Sequence, residues 1–354
     1  MPARKTYKGA IHIHTKFSDG SGKVRDVIKA AQEAGLDYII ISDHDELLPE
    51  QRKFQGWHGD LLVVVGVELS ACVLGRRHFL ALGVDSHVPY RKEKFSEKLG
   101  HIERDGGITI IAHPSGPFRP WRGQTHFAWR RFPDEFFHGI EIWTYMHDWM
   151  DNLMFTQLRE KVTRSDYHLS GPNARVLRLW DEMNLRRRVA GIGSQDNHAR
   201  WVPFLNLRVF SYEYLFQRLL THVVMEEFSR HAKDDIPRLL GAIGGGNSYF
   251  ANNGIAGADG FSFTVDGDGG EHVVGEWLEG GAKALRISAP ARGEMTVVRN
   301  GTAAAVETTD LFEMRDPAPG AYRVEMRIGG APWLFTNHIN IGMPRAAGRL
   351  ESRE

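Results

Sequence analysis

Ala10-Ile11-His12-Ile13-His14 decides how the rest of this chain is read. Its apolar residues mark a buried strand. Strand alternation puts His12 and His14 on one face, about 7 Å apart along the chain. Two imidazoles so placed form a two-tooth claw for one metal ion. The chain holds 17 histidines, so a single one means little; spacing and context must promote it to a ligand.

Outward from this strand, apolar runs alternate with helical periodicity. Val24 to Ala34 reads as a helix with Val24, Val27, Ile28 and Ala31 on one face, stopped by Gly35. Tyr38 to Ser42 and Leu61 to Glu68 read as buried strands. His78 to Val84, Ile108 to Ala112, Ile140 to Trp143 and Val189 to Gly193 continue the series. Helices are expected at Glu93 to Asp105 and Ala174 to Arg188. The alternation predicts an α/β fold with a mainly parallel sheet or barrel.

A second regime follows Gly244-Gly245-Gly246. From about Gly257, helical periodicity gives way to short strands at Phe261 to Val265, Ala284 to Ser288, Glu294 to Arg299, Tyr322 to Ile328 and Trp333 to Ile341. Turn chemistry such as Asn300-Gly301 and Pro319-Gly320 separates them. Two domains are expected: residues 1–256 carrying the chemistry, and residues 257–354 as a small all-β sandwich of roughly 90 residues.

Metal-ligand residues recur at the carboxyl ends of the first regime's strands or in the adjoining loops, where α/β folds place their sites. Asp19 follows the opening strand in Ser18-Asp19-Gly20. His44 lies in Ser42-Asp43-His44-Asp45, and Glu68 ends Gly66-Val67-Glu68. His78 begins the next strand, His113 lies in Ala112-His113-Pro114, and Asp196 and His198 lie in Ser194-Gln195-Asp196-Asn197-His198. Each motif has a bland reading: a lone histidine is usually a satisfied core or surface group, and Asp43-His44-Asp45 could be a cap or turn. Glu68 resists that reading, because a carboxylate ending a buried run needs a partner.

In this order the motifs resemble the PHP (polymerase and histidinol phosphatase) superfamily over residues 7–255. The tail Pro332-Trp333-Leu334-Phe335-Thr336-Asn337 is similar to the β-rich extension of its carbaryl-hydrolase-like branch. The resemblance implies a distorted (β/α)7-type barrel with two to three divalent ions at its C-terminal face. It implies that His12, His14 and Asp196 hold a first ion and that Glu68 bridges to a second, completed by His78 and His113. Asp19, His44 and His198 would hold a third. The donors are all nitrogen and oxygen, which suits Mn²⁺, Fe²⁺ or Zn²⁺ without selecting among them. Two departures stand out: Gln195 replaces the usual serine, and Asp45 and Glu46 follow His44 where the branch commonly has Asn.

The expected chemistry is ester hydrolysis by a metal-bridging hydroxide, most simply on a small phosphoester. Glu68, Asp196 and His198 are the expected catalytic residues. Lys16, Arg119 and Arg200 are candidate phosphate contacts, with Arg76 and Arg77 behind them, and Asp43 could orient a ligand. Gly116 to Arg131 reads as a lid or pocket wall, with Trp121 and Trp129 better read as packing. A carboxylic or carbamic ester is the alternative substrate, and would call for an apolar pocket. A metal-stabilised scaffold is the non-enzymatic reading, in which His198→Ala would leave every activity unchanged. Gly20-Ser21-Gly22-Lys23 imitates a P-loop end, but Phe17 and Val24 break the pattern, and no GxSxG or HExxH is present.

Bulk properties agree. There are 44 basic and 44 acidic side chains among 354 residues, so no net charge favours nucleic acid or an anionic membrane. The longest apolar run, Leu61 to Val65, is too short to span a bilayer. The polar start predicts no secretory leader, and the single Cys72 permits no internal disulfide, so a cytoplasmic setting is expected. Oligomeric state is left open.

Overall fold

A computed structural model describes residues 4–71, 77–84, 93–115, 129, 132–133, 136–151, 169–202 and 207–344. The chain runs through β1 (Arg4–Ile13), α1 (Val24–Glu33), β2 (Tyr38–Ile41), α2 (Pro49–Arg52), β3 (Gly56–His58), β4 (Leu61–Val65), β5 (Val67–Ser70) and β6 (His78–Leu82). Next come α3 (Phe95–Arg104), β7 (Ile108–Ile111), β8 (Gly139–Thr144), α4 (Tyr145–Asp151), α5 (Ala174–Asn184), β9 (Ala190–Ser194), β10 (Arg200–Val202), β11 (Leu207–Val209) and α6 (Tyr212–Leu215). Then follow β12 (Leu219–Glu226), α7 (Ala232–Gly244), β13 (Ser248–Asn252), β14 (Ser262–Gly267), β15 (Gly270–Val273) and β16 (Trp277–Leu278). The chain closes with β17 (Ala282–Arg299), β18 (Thr302–Arg315), β19 (Gly320–Ile328), β20 (Ala331–Thr336) and β21 (Ile339–Ile341).

Several elements of the first regime form as their periodicity predicts. In α1, Val24, Val27, Ile28, Ala30 and Ala31 are buried. Gly35 follows at φ 65°, its N–H bonding Gln32 O while Leu36 N–H bonds Ala31 O, so orphan carbonyls at the helix end are satisfied. Tyr38–Ile41 and Leu61–Val65 are fully buried and lie parallel to one another and to β1.

Leu61 to Glu68 is not one strand. The chain breaks at Gly66, where a Cβ would sit 2.5 Å from Leu82 Cδ2, and β5 joins a second sheet. That sheet has the order β5-β6-β7-β8-β9, antiparallel at β5-β6-β7 and parallel at β7-β8-β9. Backbone bonds join it to the first sheet on both sides. Glu68 N–H donates to Asp43 O, and Asp45 N–H to Glu68 O; Gln195 N–H donates to Ile11 O, and His14 N–H to Asn197 O.

The C-terminal strands enclose a core of their own but are hydrogen-bonded to the first regime. β13 pairs with β20, so one sheet of 14 strands among the described residues runs from β3 through β1 and β12 into the second regime. The expected boundary at 256/257 lies in the loop between β13 and β14, and strand pairing continues from one side of it to the other. The physical reason is β20, whose two faces serve different cores. Phe335 packs with Trp143 and Phe250 in the first core, while Trp333 and Leu334 belong to the C-terminal one. β17 also spans 18 residues where two short strands are expected, with its register broken between Ser288 and Gly293. No helix among the described residues is long and apolar enough to cross a membrane.

Candidate metal centre

The centre is assembled where β1 meets β9. β1 carries a bulge at His12: Ile11 and Ile13 pair with Ile40 and Ile41, leaving His12 unmatched at φ 71°. Plain alternation is therefore not what aligns His12 with His14. The bulge and the bonds from Asn197 N–H to His12 O and from His14 N–H to Asn197 O bring both rings against Asp196. Asp196 and His113 also have positive φ, 52° and 27°. Left-handed backbone at non-glycine residues costs on the order of 1–3 kcal/mol each and gathers at functional sites. Gly20 lets the next loop turn back over His14, since a Cβ there would lie 2.3 Å from His14 O.

Glu68 is the hub. Its Oε2 lies 3.2 Å from His12 Nε2, 3.2 Å from His14 Nε2 and 3.1 Å from His44 Nδ1. Its Oε1 lies 2.8 Å from His78 Nδ1 and 2.9 Å from His113 Nε2. Asp196 Oδ1 lies 3.2 Å from His14 Nε2 and 3.4 Å from His12 Nε2. Asp19 Oδ1 lies 3.1 Å from His198 Nε2, 3.7 Å from His44 Nε2 and 3.8 Å from His14 Nδ1.

Among the described residues, four groups could hold a cation: His12/His14/Glu68/Asp196, His14/Asp19/His44/His198, His44/Glu68/His78, and His113/His147/Asp196. All nine sequence-predicted donors lie in these groups. His78 and His113 both reach Glu68 Oε1, but they fall in different groups.

The fit to metal ions rests on unmet valence. His12 Nε2, His14 Nε2 and Glu68 Oε2 are buried and make no hydrogen bond. Buried polar atoms that face one another without hydrogen-bond partners are expensive, and a shared cation removes that cost. Protonation directions tell the same story. Burial opposes charge on His14, but the Asp196 and Glu68 carboxylates outweigh it and lift the ring to about 9. Burial likewise opposes ionisation of Glu68, yet the surrounding imidazoles hold its carboxyl well below the usual range. For Asp19 the balance of burial against His198 ends at about 2. The cluster attracts positive charge in either form, proton or metal.

Two participants are not among the sequence-predicted residues. Glu141, on β8, places Oε1 2.6 Å from His12 Nδ1, and its Oε2 accepts from His113 N–H at 2.6 Å and Thr144 Oγ1 at 3.0 Å. This leaves His12 Nε2 facing Glu68 and Asp196, the tautomer control typical of metal-site histidines. A charged residue inside the apolar run Ile140-Glu141-Ile142 was the available signal. His147, on α4, places Nε2 3.1 Å from Asp196 Oδ2.

The other candidates are placed as follows. Asp43 accepts from Thr15 N–H and Oγ1, both at 2.7 Å, and from Gln51 Nε2 at 2.6 Å, with Ser18 Oγ also bonded to it. It thus braces the loop carrying His14 and Asp19 rather than His44 itself. Gln195 points away from the cluster, donating to Leu215 O and Leu219 O. Lys16 and Arg200 are exposed, in the segments carrying Asp19 and His198. Arg77 lies over the Trp129 ring, and Trp129 is buried, as a packing residue would be. Arg119, Arg76, Trp121 and all of the Gly116 to Arg131 segment except Trp129 lie outside the described residues.

Part of the chain is similar to known proteins. An uncharacterized protein of Methanocaldococcus jannaschii is 26% identical over 154 residues, 40% of this chain and 83% of that one. The DNA polymerase/3′-5′ exonuclease PolX of Bacillus subtilis is 25% identical over 134 residues, 31% of this chain and only 24% of the polymerase's length. A two-domain Bacteroides vulgatus protein containing a predicted PHP-like metal-dependent phosphoesterase aligns over 95% of both chains, at 15% identity and TM-score 0.43. The family model of the PHP domain matches residues 10–165, the span from the His12-His14 claw through His147.

Proposed function

We propose that this chain is a metal-dependent hydrolase acting on a small phosphoester. One observation carries the reading: the candidate ion groups share Glu68, Asp196, His14 and His44, so ions held there would be neighbours around common ligands. Divalent ions so placed would supply Lewis acidity, both acidifying water and offsetting charge on an ester oxygen.

The chain's own residues do the rest. Glu68 and Asp196 present both carboxylate oxygens to different imidazoles and hold the groups together. Glu141 and Asp43 keep His12 and the His14 loop in place. Exposure supports one side for the substrate: the His12, His14 and Glu68 side chains are 0% exposed, whereas those of His198, His44 and Asp19 are 18%, 29% and 44% exposed. A substrate approaches over these three, where Lys16 and Arg200 can meet a phosphate. Nine nitrogen and oxygen donors suit Mn²⁺, Fe²⁺ or Zn²⁺.

Elemental analysis of chelator-free protein tests the centre, with two or more ions per chain expected. Metal-reconstituted protein should then hydrolyse nitrophenyl phosphate in preference to naphthyl esters. The reverse preference would favour the carboxylic or carbamic ester, and metal-loaded protein inert to both would sink the hydrolase reading.

A further inference from the structure

We propose that His147 is a metal ligand: with His113 and the Oδ2 oxygen of Asp196 it forms a cation position beside the one held by His12 and His14. The proposal rests on the metal-centre reading above and adds a tenth donor to it.

Asp196 is used on both sides. Its Oδ1 faces His12, His14 and His198, at 3.4, 3.2 and 3.5 Å, while Oδ2 lies 3.1 Å from His147 Nε2. Glu68 divides its oxygens in the same way, Oε2 toward His12 and His14 and Oε1 toward His78 and His113. Two carboxylates, each spanning two sets of imidazoles, are what adjoining ions require. The ligand atoms of His113, His147 and Asp196 lie within 4.8 Å of one another, close enough to share one ion. The His113 and His147 rings are also cofacial, with centroids 4.2 Å apart and planes 11° apart. Their Nε2 atoms point to neighbouring carboxylates, His113 to Glu68 and His147 to Asp196.

His147 is held for this task. It is 4% exposed, on the helix that begins directly after β8, the strand carrying Glu141. The adjacent Asp148 anchors that helix, accepting from Trp143 Nε1 at 2.9 Å, Ser170 N–H at 3.0 Å and Gly171 N–H at 2.9 Å. The rival role is a hydrogen-bond donor that steadies Asp196. Glutamine separates the two, because its amide can donate to a carboxylate but is a poor metal ligand.

The test strips wild type, His147→Ala and His147→Gln with chelator, reloads each with Zn²⁺, and measures bound ions by elemental analysis and by competition with a chromophoric chelator. Both variants should retain one fewer tightly bound ion than wild type. Thermal unfolding of the stripped proteins checks folding, and the glutamine variant carries the test if alanine fails to fold. A full complement in His147→Gln, or in both variants, overturns the proposal while leaving the metal centre intact. Wild type that binds no ion overturns both.

Discussion

Two buried charged clusters in this chain are built in opposite ways. Asp181, on α5, meets Arg323 Nε and Nη2 at 2.6 and 2.8 Å and His338 Nε2 at 2.8 Å, while Glu325 takes another arm of Arg323. There a permanent cation answers the buried acid, and the cluster ties α5 to β19 and the segment after β20. Glu68 meets five imidazoles and, among the described residues, no lysine or arginine. Its charge balance depends on what is supplied, protons or metal ions. An acid closed by arginine locks structure, whereas one ringed by imidazoles is poised to bind.

The sharpest way to break this contrast is to remove each hub. Glu68→Gln should strip metal from the protein and take hydrolysis to background, with the stripped fold surviving in thermal unfolding. Asp181→Ala should instead destabilise the fold by about 3–5 kcal/mol, because the buried guanidinium loses its two-point partner and keeps only Glu325, with metal content retained. If Asp181→Ala loses metal and Glu68→Gln keeps it, the division of labour is wrong.

Glu141→Gln tests the support beneath His12. Loss of such a carboxylate partner typically costs about 10–100-fold in metal affinity or activity. Unchanged affinity in a competition titration would reduce Glu141 to a packing role.

Acidity separates the clusters by sign. In the stripped protein His14 titrates at about 9, so near neutrality its proton must leave when metal enters. Metal affinity should therefore rise from pH 6 to pH 9, about tenfold per pH unit for each proton displaced. Asp181 is held at about 2, where the Arg323 and His338 partners overcome burial. A depressed carboxyl contributes stability above its unfolded value near 3.9, lost as pH falls toward 2. Metal affinity that is flat across pH 6–9 would remove the proton-competition account. The smallest effect is expected on the substrate side: Lys16→Ala and Arg200→Ala should raise KM for a phosphoester with kcat and metal content retained.

Much of the centre was legible because its donors sit in short motifs at the ends of strongly apolar runs. Val63-Val64-Val65 before Glu68 leaves little ambiguity about burial, and a buried carboxylate demands a partner. Periodicity also found α1 and its glycine stop. What it could not see was the turn at Gly66 that moves β5 to another sheet, because a close approach to Leu82 leaves no local trace. Nor could it see that β20 joins the two regimes, since pairing between β13 and β20 links residues as far apart in the chain as Phe250 and Phe335.

The sequence by itself determined the candidate donors: nine nitrogen and oxygen groups, no thiolate among them, on strand ends and neighbouring loops of an α/β chain. Only the tertiary structure decided how they meet. The bulge at His12, the left-handed backbone at His113 and Asp196, and the recruitment of Glu141 and His147 arise where the ends of β1, β7, β8 and β9 and the start of α4 bring these side chains together. Side-chain type and spacing are local quantities, whereas the direction of a lone pair depends on every element packed around it.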